Sequence, residues 1–459
     1  MNIISNGKRA ITLGILMLLP LPALAGYSEG MDCYKNKDHD CMIREFTTEI
    51  QAHPNYDFGW FMIGIAYLQK KEYAKAVENL NKAIEFNGKK LSYHLNKAKA
   101  YTDQQKYDAV IQTLTGKEAM ANTAMETYSL NYQLGTANHQ TKKHKDAIPY
   151  LEKAVAVKPD YTTFYMLGIS YLQAGNVDKS ISTLKDALKQ KPGDSDVQGQ
   201  LARSYLGLAQ REKDKPKKAQ YYAEAVSYAS QSVKTAASDV SKNNVLAKSY
   251  LGARQYDNAE AAFKKVLQLD SKQCYAQTNL GKVYNIKKEW SNAVAALEKA
   301  TKCDSKSSPA WDSLGFAQEK IAKGLDTDQK KIAQLNKSLA SFKRAASISP
   351  SGPIQTSIER VQNNIEIAQQ NIRIAHSNVR TMETNLSNLQ RSLKEGQAVL
   401  QKLIDTRQFF LDKGNWPDEK EEEFKKEKAQ IEKDLATLEE RIKDQEAELV
   451  QARAAADPT

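Results

Sequence analysis

The chain has 459 residues, with 66 lysines and arginines against 55 aspartates and glutamates, a formal net charge of +11 and four cysteines. That length calls for more than one structural unit. The even cysteine count without zinc-ligand spacing suits two disulfides rather than a metal site. The positive excess is dispersed, with no basic run dense enough to form a nucleic-acid arm, so nucleic acid is not expected as a partner.

Lys8 and Arg9 precede an apolar stretch from Ala10 to Leu21, and Ala23-Leu24-Ala25 before Gly26 has the small-x-small form of a cleavage site. Residues 1–25 therefore read as an export signal, with an uncleaved anchor as the alternative. The apolar core is short for a bilayer span, and no later segment reaches the roughly 20 apolar residues that a membrane helix needs. No cysteine stands immediately after the cut, which argues against a lipid anchor. A mature chain beginning at Gly26 loses two cations with the signal, carries +9, and is expected in a bacterial periplasm or secreted. Cys33 and Cys41 bracket a short polar link and would staple an N-terminal half-repeat or cap over 26–54, with a helix expected from about Met42 to Ala52.

From there a small residue recurs: Gly64, Ala98, Gly135, Gly168, Ala202, Ala247, Gly281 and Gly315 follow one another at 34, 37, 33, 34, 45, 34 and 34 residues. A period near 34 marks a helix-turn-helix unit that cannot bury its apolar face alone and must stack. Leucine stands one residue before most of these positions (Leu134, Leu167, Leu201, Leu246, Leu280, Leu314), and tyrosine three after (Tyr67, Tyr101, Tyr171, Tyr205, Tyr250, Tyr284). Second helices carry Ala76, Ala147, Ala259 and Ala293, each with an apolar residue four further on. Pro54, Pro159, Pro192 and Pro350 follow helices that they cannot continue. These residues resemble the tetratricopeptide repeat (TPR) family over 55–350, in about eight units, which implies an α-solenoid that binds other proteins.

Several units depart from the pattern. The second has Lys117 where a small residue belongs, and the third and eighth carry Asn138 and Gln318 in place of tyrosine, so these units are expected to pack less tightly. Units five and eight each contain 11 extra residues. These fit extended helices, with Pro216 and Gly324 in loop. Cys274 opens the first helix of unit seven and Cys303 follows its second, two points that an antiparallel pair brings together; a disulfide is expected there.

In the TPR family, positions two, five and nine of each first helix face a concave groove. The resemblance places Phe61, Leu95, Tyr132 and Tyr165 at position five of units one to four. Position nine holds Ile65, Lys99, Thr136 and Ile169, and then Arg203, Lys248 and Lys282 in units five to seven. Phe61, Tyr132, Tyr165, Arg203, Lys248 and Lys282 are thus the expected partner-binding residues. The competing readings are inter-repeat packing for the aromatics and ordinary surface charge for the cations. The family's clamp for a terminal carboxylate does not line up here.

Beyond Pro350-Ser-Gly-Pro353 the period becomes seven, with apolar residues from Ile354 to Leu403 alternating steps of four and three, a coiled-coil signal. It breaks at Leu411 to Pro417 and resumes as Phe424, Ile431, Leu435, Leu438, Ile442 and Leu449, with Asp418 and Glu421 in the spacing of a capping box. Residues 354–456 therefore read as an antiparallel coiled-coil hairpin with its tip near 411–417, a kinked rod being the alternative. The arms carry +2 and −5, which favours pairing. The base of the first arm, with Ile367 and Ile374 beside its seam, is expected to pack on the last repeat. The fold class is all-α: a TPR solenoid followed by this hairpin.

No catalytic, phosphate-binding or dinucleotide motif occurs. The six histidines are scattered, His139 and His144 reading as solvated, so neither enzyme activity, cofactor nor metal is expected. The resulting expectation is a non-catalytic scaffold or assembly factor of the bacterial envelope, holding a segment of an envelope protein. A coiled-coil spacer, a homo-oligomerisation module and an accessory subunit of an envelope enzyme complex are the alternatives.

Overall fold

The computed structural model describes residues 25–456, so the signal reading lies outside the described residues apart from the backbone of Ala25. Among the described residues every regular element is helical. The chain divides into two compact units at Arg254–Gln255, inside the repeat array.

The first unit holds α1 (Ala25–Lys35), α2 (His39–Ala52), α3 (Asp57–Gln69), α4 (Tyr73–Phe86), α5 (Leu91–Asp103), α6 (Tyr107–Leu114), α7 (Ala124–Gln140), α8 (His144–Val157), α9 (Tyr161–Gln173), α10 (Val177–Gln190), α11 (Ser195–Arg211), α12 (Lys215–Thr235) and α13 (Val240–Gly252). The second holds α14 (Tyr256–Leu269), α15 (Cys274–Lys287), α16 (Trp290–Cys303), α17 (Ser308–Lys323), α18 (Asp328–Ile348), α19 (Gly352–Asp412) and α20 (Asp418–Ala456). Pro54, Pro159, Pro192 and Pro350 each stand two residues beyond a helix end.

The small position explains itself by distance. A Cβ added at Gly64, Gly135, Gly168 or Gly281 would lie 2.3–2.7 Å from the Cγ or Cδ2 of the leucine opposite it: Leu80, Leu151, Leu184 or Leu297. At Gly315 the opposing ring is Phe342, 2.9 Å away. These leucines and Phe342 are buried, so the glycine lets two helix backbones close on one large side chain.

A second regularity lies at the turn between paired helices, where position fifteen is left-handed in six units. Lys71, Gln105, Lys142, Arg254 and Lys288 have φ between 59° and 63°, and only Gly175 is the residue that favours such a conformation. Turn geometry has overridden residue preference at the other five.

Several expectations are corrected. In the second unit of the repeat α6 stops at Leu114, so Lys117 lies outside it. Asn138 and Gln318 do not loosen their units: both are buried, Asn138 donating to the Leu134 carbonyl and Gln318 accepting from Ser341. Pro216 is in the first turn of α12, where a missing N–H costs nothing, and the extra residues go into helices of 21 residues, α12 and α18. The N-terminal segment is a full helix pair whose second member starts at His39, earlier than the expected Met42. The disulfide Cys33–Cys41 joins that pair, and Cys274–Cys303 joins the two ends of the α15–α16 pair, with Cα separations of 5.7 and 5.4 Å.

In the second unit α19 and α20 run antiparallel. Arg453 pairs with Glu383, Gln390 donates to Glu446, and Arg407 forks onto Glu421. A Cβ on Gly396 would stand 2.7 Å from Leu435. Glu421 is thereby taken by Arg407 and the Trp416 indole N–H at 3.0 Å rather than by a capping box. The base of α19 packs on the last repeat, but through Ile354, Ile358, Val361 and Ile365 against Leu335, Phe342 and Ala345. Ile367 and Ile374 are about half exposed and take no part.

Candidate protein-binding grooves

In the first unit the expected residues Phe61, Tyr132, Tyr165, Arg203 and Lys248 are all half-buried. Each aromatic sits at the margin of an inter-repeat cluster. Phe61 is the most structural of them, stacking at 4.7 Å on Tyr93 of the next unit, whose buried ring is anchored by its hydroxyl to Asp57. Tyr132 and Tyr165 instead stack on partners in their own helices, Tyr128 at 5.5 Å and Tyr161 at 6.0 Å.

Those two partners form an arrangement that the position rule misses. Tyr128 donates to Asp160 at 3.0 Å and Tyr161 to Asp194 at 2.9 Å. Each aspartate also caps the next first helix, accepting from Thr163 N or Val197 N. Lys158 and Lys191 lie over the same rings at 5.1 and 4.6 Å. Burial first, and then the aspartate, pushes the Tyr128 hydroxyl up to about 12. Asp194 is held below the usual carboxylate range even though burial alone would raise it, because the Val197 amide and the Tyr161 hydroxyl donate to it. The stacked pairs are therefore held in place through the first ring of each, and all four rings are half-buried. Arg203 is tied to Ser241 of α13. Beside these cations the side-chain carbonyls of Gln200 and Asn244 are buried acceptors with no donor from the chain.

His139 is not solvated. Its Nδ1 is 3.0 Å from the Ser170 hydroxyl and its ring meets His144 edge-on at 5.3 Å. Burial, aided by His144, lowers it to about 4. His94, bonded to the Gly88 carbonyl, is lowered for the same first reason. Both are neutral in the fold at pH 7 and protonate more easily unfolded, so their contribution is intact above about pH 6.5 and is lost as pH falls towards 4. The melting temperature of the chain is expected to drop across that window, and His139→Gln to flatten the drop; thermal melts from pH 7 to 4 measure both.

In the second unit Lys282 is half-buried on α15, facing Asp312 of α17. Burial lowers the lysine and raises the aspartate, each against the attraction of the other. Both border a cavity of about 590 Å³, with Asn285, Ile286 and Phe316 beside them and the first turn of α19 as one wall. Asn285 donates to the Ser313 carbonyl while its own carbonyl is buried without a donor. Phe316, braced at 6.0 Å by Trp290, is 37% exposed, and Tyr275 is 48% exposed. The two aromatics occupy positions nine and two of their helices, so the positional rule extended to units seven and eight would have found them.

Tetratricopeptide repeat models match residues 59–90, 139–213 and 244–308. A cytochrome c-type biogenesis protein, CycH of Pseudomonas aeruginosa, is 27% identical over 164 residues, which is 33% of this chain and 40% of that protein. The chain thus spans well under half of that curated relative. Among solved structures, a tetratricopeptide repeat protein of Parabacteroides merdae is 14% identical with a TM-score of 0.42, covering 61% of this chain and 99% of that one. YrrB, described as a TPR protein with an unusual peptide-binding site, is 20% identical with a TM-score of 0.35, covering 40% and 91%.

Proposed function

Because the chain is a tetratricopeptide-repeat protein and therefore a protein–protein interaction scaffold, we propose that it is an exported assembly factor of the bacterial envelope whose first-helix faces hold a segment of a partner protein. The observation that carries this reading is the pair of tyrosine stacks, held in place by Asp160 and Asp194 and leaving Tyr132 and Tyr165 half-buried on first-helix faces. A partner segment suits such a face because its side chains can lie on the half-buried rings of Tyr132 and Tyr165. The envelope setting is supported by two disulfides, which persist in oxidising compartments, by the cleavage pattern before Gly26, and by the partial likeness to a biogenesis protein. Among the described residues no helix is long and apolar enough to cross a membrane. Catalysis forms no part of this reading.

A photo-crosslinking residue placed at Thr136 or Ile169, position nine of the same helices, should capture a defined partner peptide in envelope extract. Tyr132→Ser with Tyr165→Ser should abolish the adduct while helicity and melting stay near those of the parent, because half-open rings serve association more than the core. Phe61→Ser should lower stability instead. Changing Arg203, Lys248 and Lys282 to glutamate should weaken capture at low salt and matter little near 0.5 M, where the Debye length is about 4 Å. Capture that survives both sets of changes, but fails when 354–456 is removed, would favour the hairpin as the working part.

A further inference from the structure

The first helix pair holds an incomplete ion pair. Glu49, on α2, is only 6% exposed, and among the described residues no lysine, arginine or histidine pairs with it. Its Oε1 accepts one hydrogen bond, from the backbone nitrogen of Gly26 at 2.6 Å, and its Oε2 is buried with no partner at all. A carboxylate shut away from water with one neutral donor is an arrangement that natural folds avoid, because an uncompensated buried charge is strongly destabilising.

Gly26 is also the residue on which the cleavage pattern converges. A Cβ there would lie 2.9 Å from both Glu49 Cγ and Oε1, and 3.0 Å from the Glu45 carbonyl, so a larger residue would have to push the carboxylate aside. Four residues on, Gly30 repeats the device against Phe46, where a Cβ would stand 2.8 Å from the ring. The start of α1 is pressed onto α2 at the one place where α2 presents a buried anion.

We propose that Glu49 is the receptor for the α-ammonium group created when the chain is cut between Ala25 and Gly26. Hydrolysis adds the elements of water across that bond, leaving a carboxylate on Ala25 and an amine on Gly26 that takes up a proton. The nitrogen that donates one bond as an amide then carries up to three donors and a positive charge, enough to engage Oε1 and the unpartnered Oε2 together. Processing thus completes the N-terminal pair electrostatically, and the stapled helices α1 and α2 are less stable in the uncut chain than in the mature one. The inference rests on the signal reading.

The experiment uses the full mature chain with Gly26 first and its amine free, the same chain acetylated at Gly26, and both forms carrying Glu49→Gln. Acetylation should lower the melting temperature of the parent and leave that of Glu49→Gln unchanged. Equal shifts in both, or a shift in neither, would overturn the proposal. Acylation of the Gly26 amine at pH 7 should be about tenfold slower in the native parent than in the same chain unfolded in urea, one unit of pairing being a factor of ten. This comparison stands even where Glu49→Gln folds poorly, and equal rates would refute the pairing. Intact mass of the exported protein tests the reading beneath it: a first residue other than Gly26 removes the processing step, while the acetylation cycle still reports on the pocket.

Discussion

Gly168→Leu and Gly281→Leu are expected to unfold the repeats around them, the first in the unit ending at Arg254 and the second in the unit that follows. The added Cβ alone would sit 2.6 Å from Leu184 Cγ in one case and 2.3 Å from Leu297 Cγ in the other, before three further carbons are placed. Both leucines are fully buried, so neither can swing away into solvent. Overpacking of a filled core costs about 1–3 kcal/mol. In a repeat array that loss also removes the surface on which each neighbour rests. Gly207 provides the control. It lies in α11, where a Cβ would meet Val177 at an ordinary 3.8 Å. Gly207→Ala should therefore raise stability by up to ~1 kcal/mol through helix propensity. Chemical denaturation followed by circular dichroism separates the cases, and unchanged midpoints for both leucine variants would show that these helix contacts are not the ones holding the repeats.

The second large effect is expected at the root of the hairpin. Glu319 on α17 is 1% exposed and receives the Arg360 guanidinium of α19 in two bonds, 3.1 Å from Nε and 2.8 Å from Nη2. Burial by itself would push this carboxyl up, but Arg360 outweighs it and holds the group below the usual carboxylate range. Arg360→Leu removes the main compensation and leaves Glu319 buried with Lys323, 3.7 Å away, as its remaining partner; because Arg360 is itself 43% exposed, the loss is expected to fall below the ~3–5 kcal/mol of a fully buried pair. Part of that loss is relieved by protonating Glu319. The variant should accordingly lose most stability at neutral pH and approach the parent as pH falls through the carboxylate range. In the parent the pair contributes above about pH 4.5 and is lost below it. Glu319→Gln with Arg360→Leu should recover much of the damage. A double variant no more stable than the single one would show that the hairpin base is held by its apolar contacts alone.

The fold was legible because the requirement behind it is local and repeated: one small residue under each large one, every 34 positions. The hairpin was legible for the same reason with a period of seven. The candidate grooves were read only in part. Position five led to Tyr132 and Tyr165, but Tyr128 and Tyr161 stand at position one, and their role depends on aspartates more than 30 residues away. Lys282 was found without Asp312, since a pair split between two helices of neighbouring repeats has no spacing signature. His139 reads as a turn-proximal polar residue and is drawn inside by Ser170 of the following first helix. Glu49 lies on an otherwise amphipathic stretch, where a single carboxylate is ordinarily solvated, and its burial goes with the close approach of Gly26 in the neighbouring helix.

The unequal arms of the hairpin have a mechanical consequence. α19 has 61 residues and α20 has 39, so the surplus lies at the root, where Ile354 to Ile365 are clamped on the last repeat. From that clamp α19 runs about 70 Å to the tip at 1.5 Å per residue, roughly the last 58 Å of it beside α20, whose own end is met by Gln329 donating to the Ala456 carbonyl. A body of that length, gripped at one end, acts as a lever: a tilt of about 10° at the clamp carries the tip through about 12 Å. The tip bears Phe409, Phe410 and Leu411, all more than a third exposed. A partner that meets those side chains would therefore apply its load to the clamp that Arg360 and Glu319 complete.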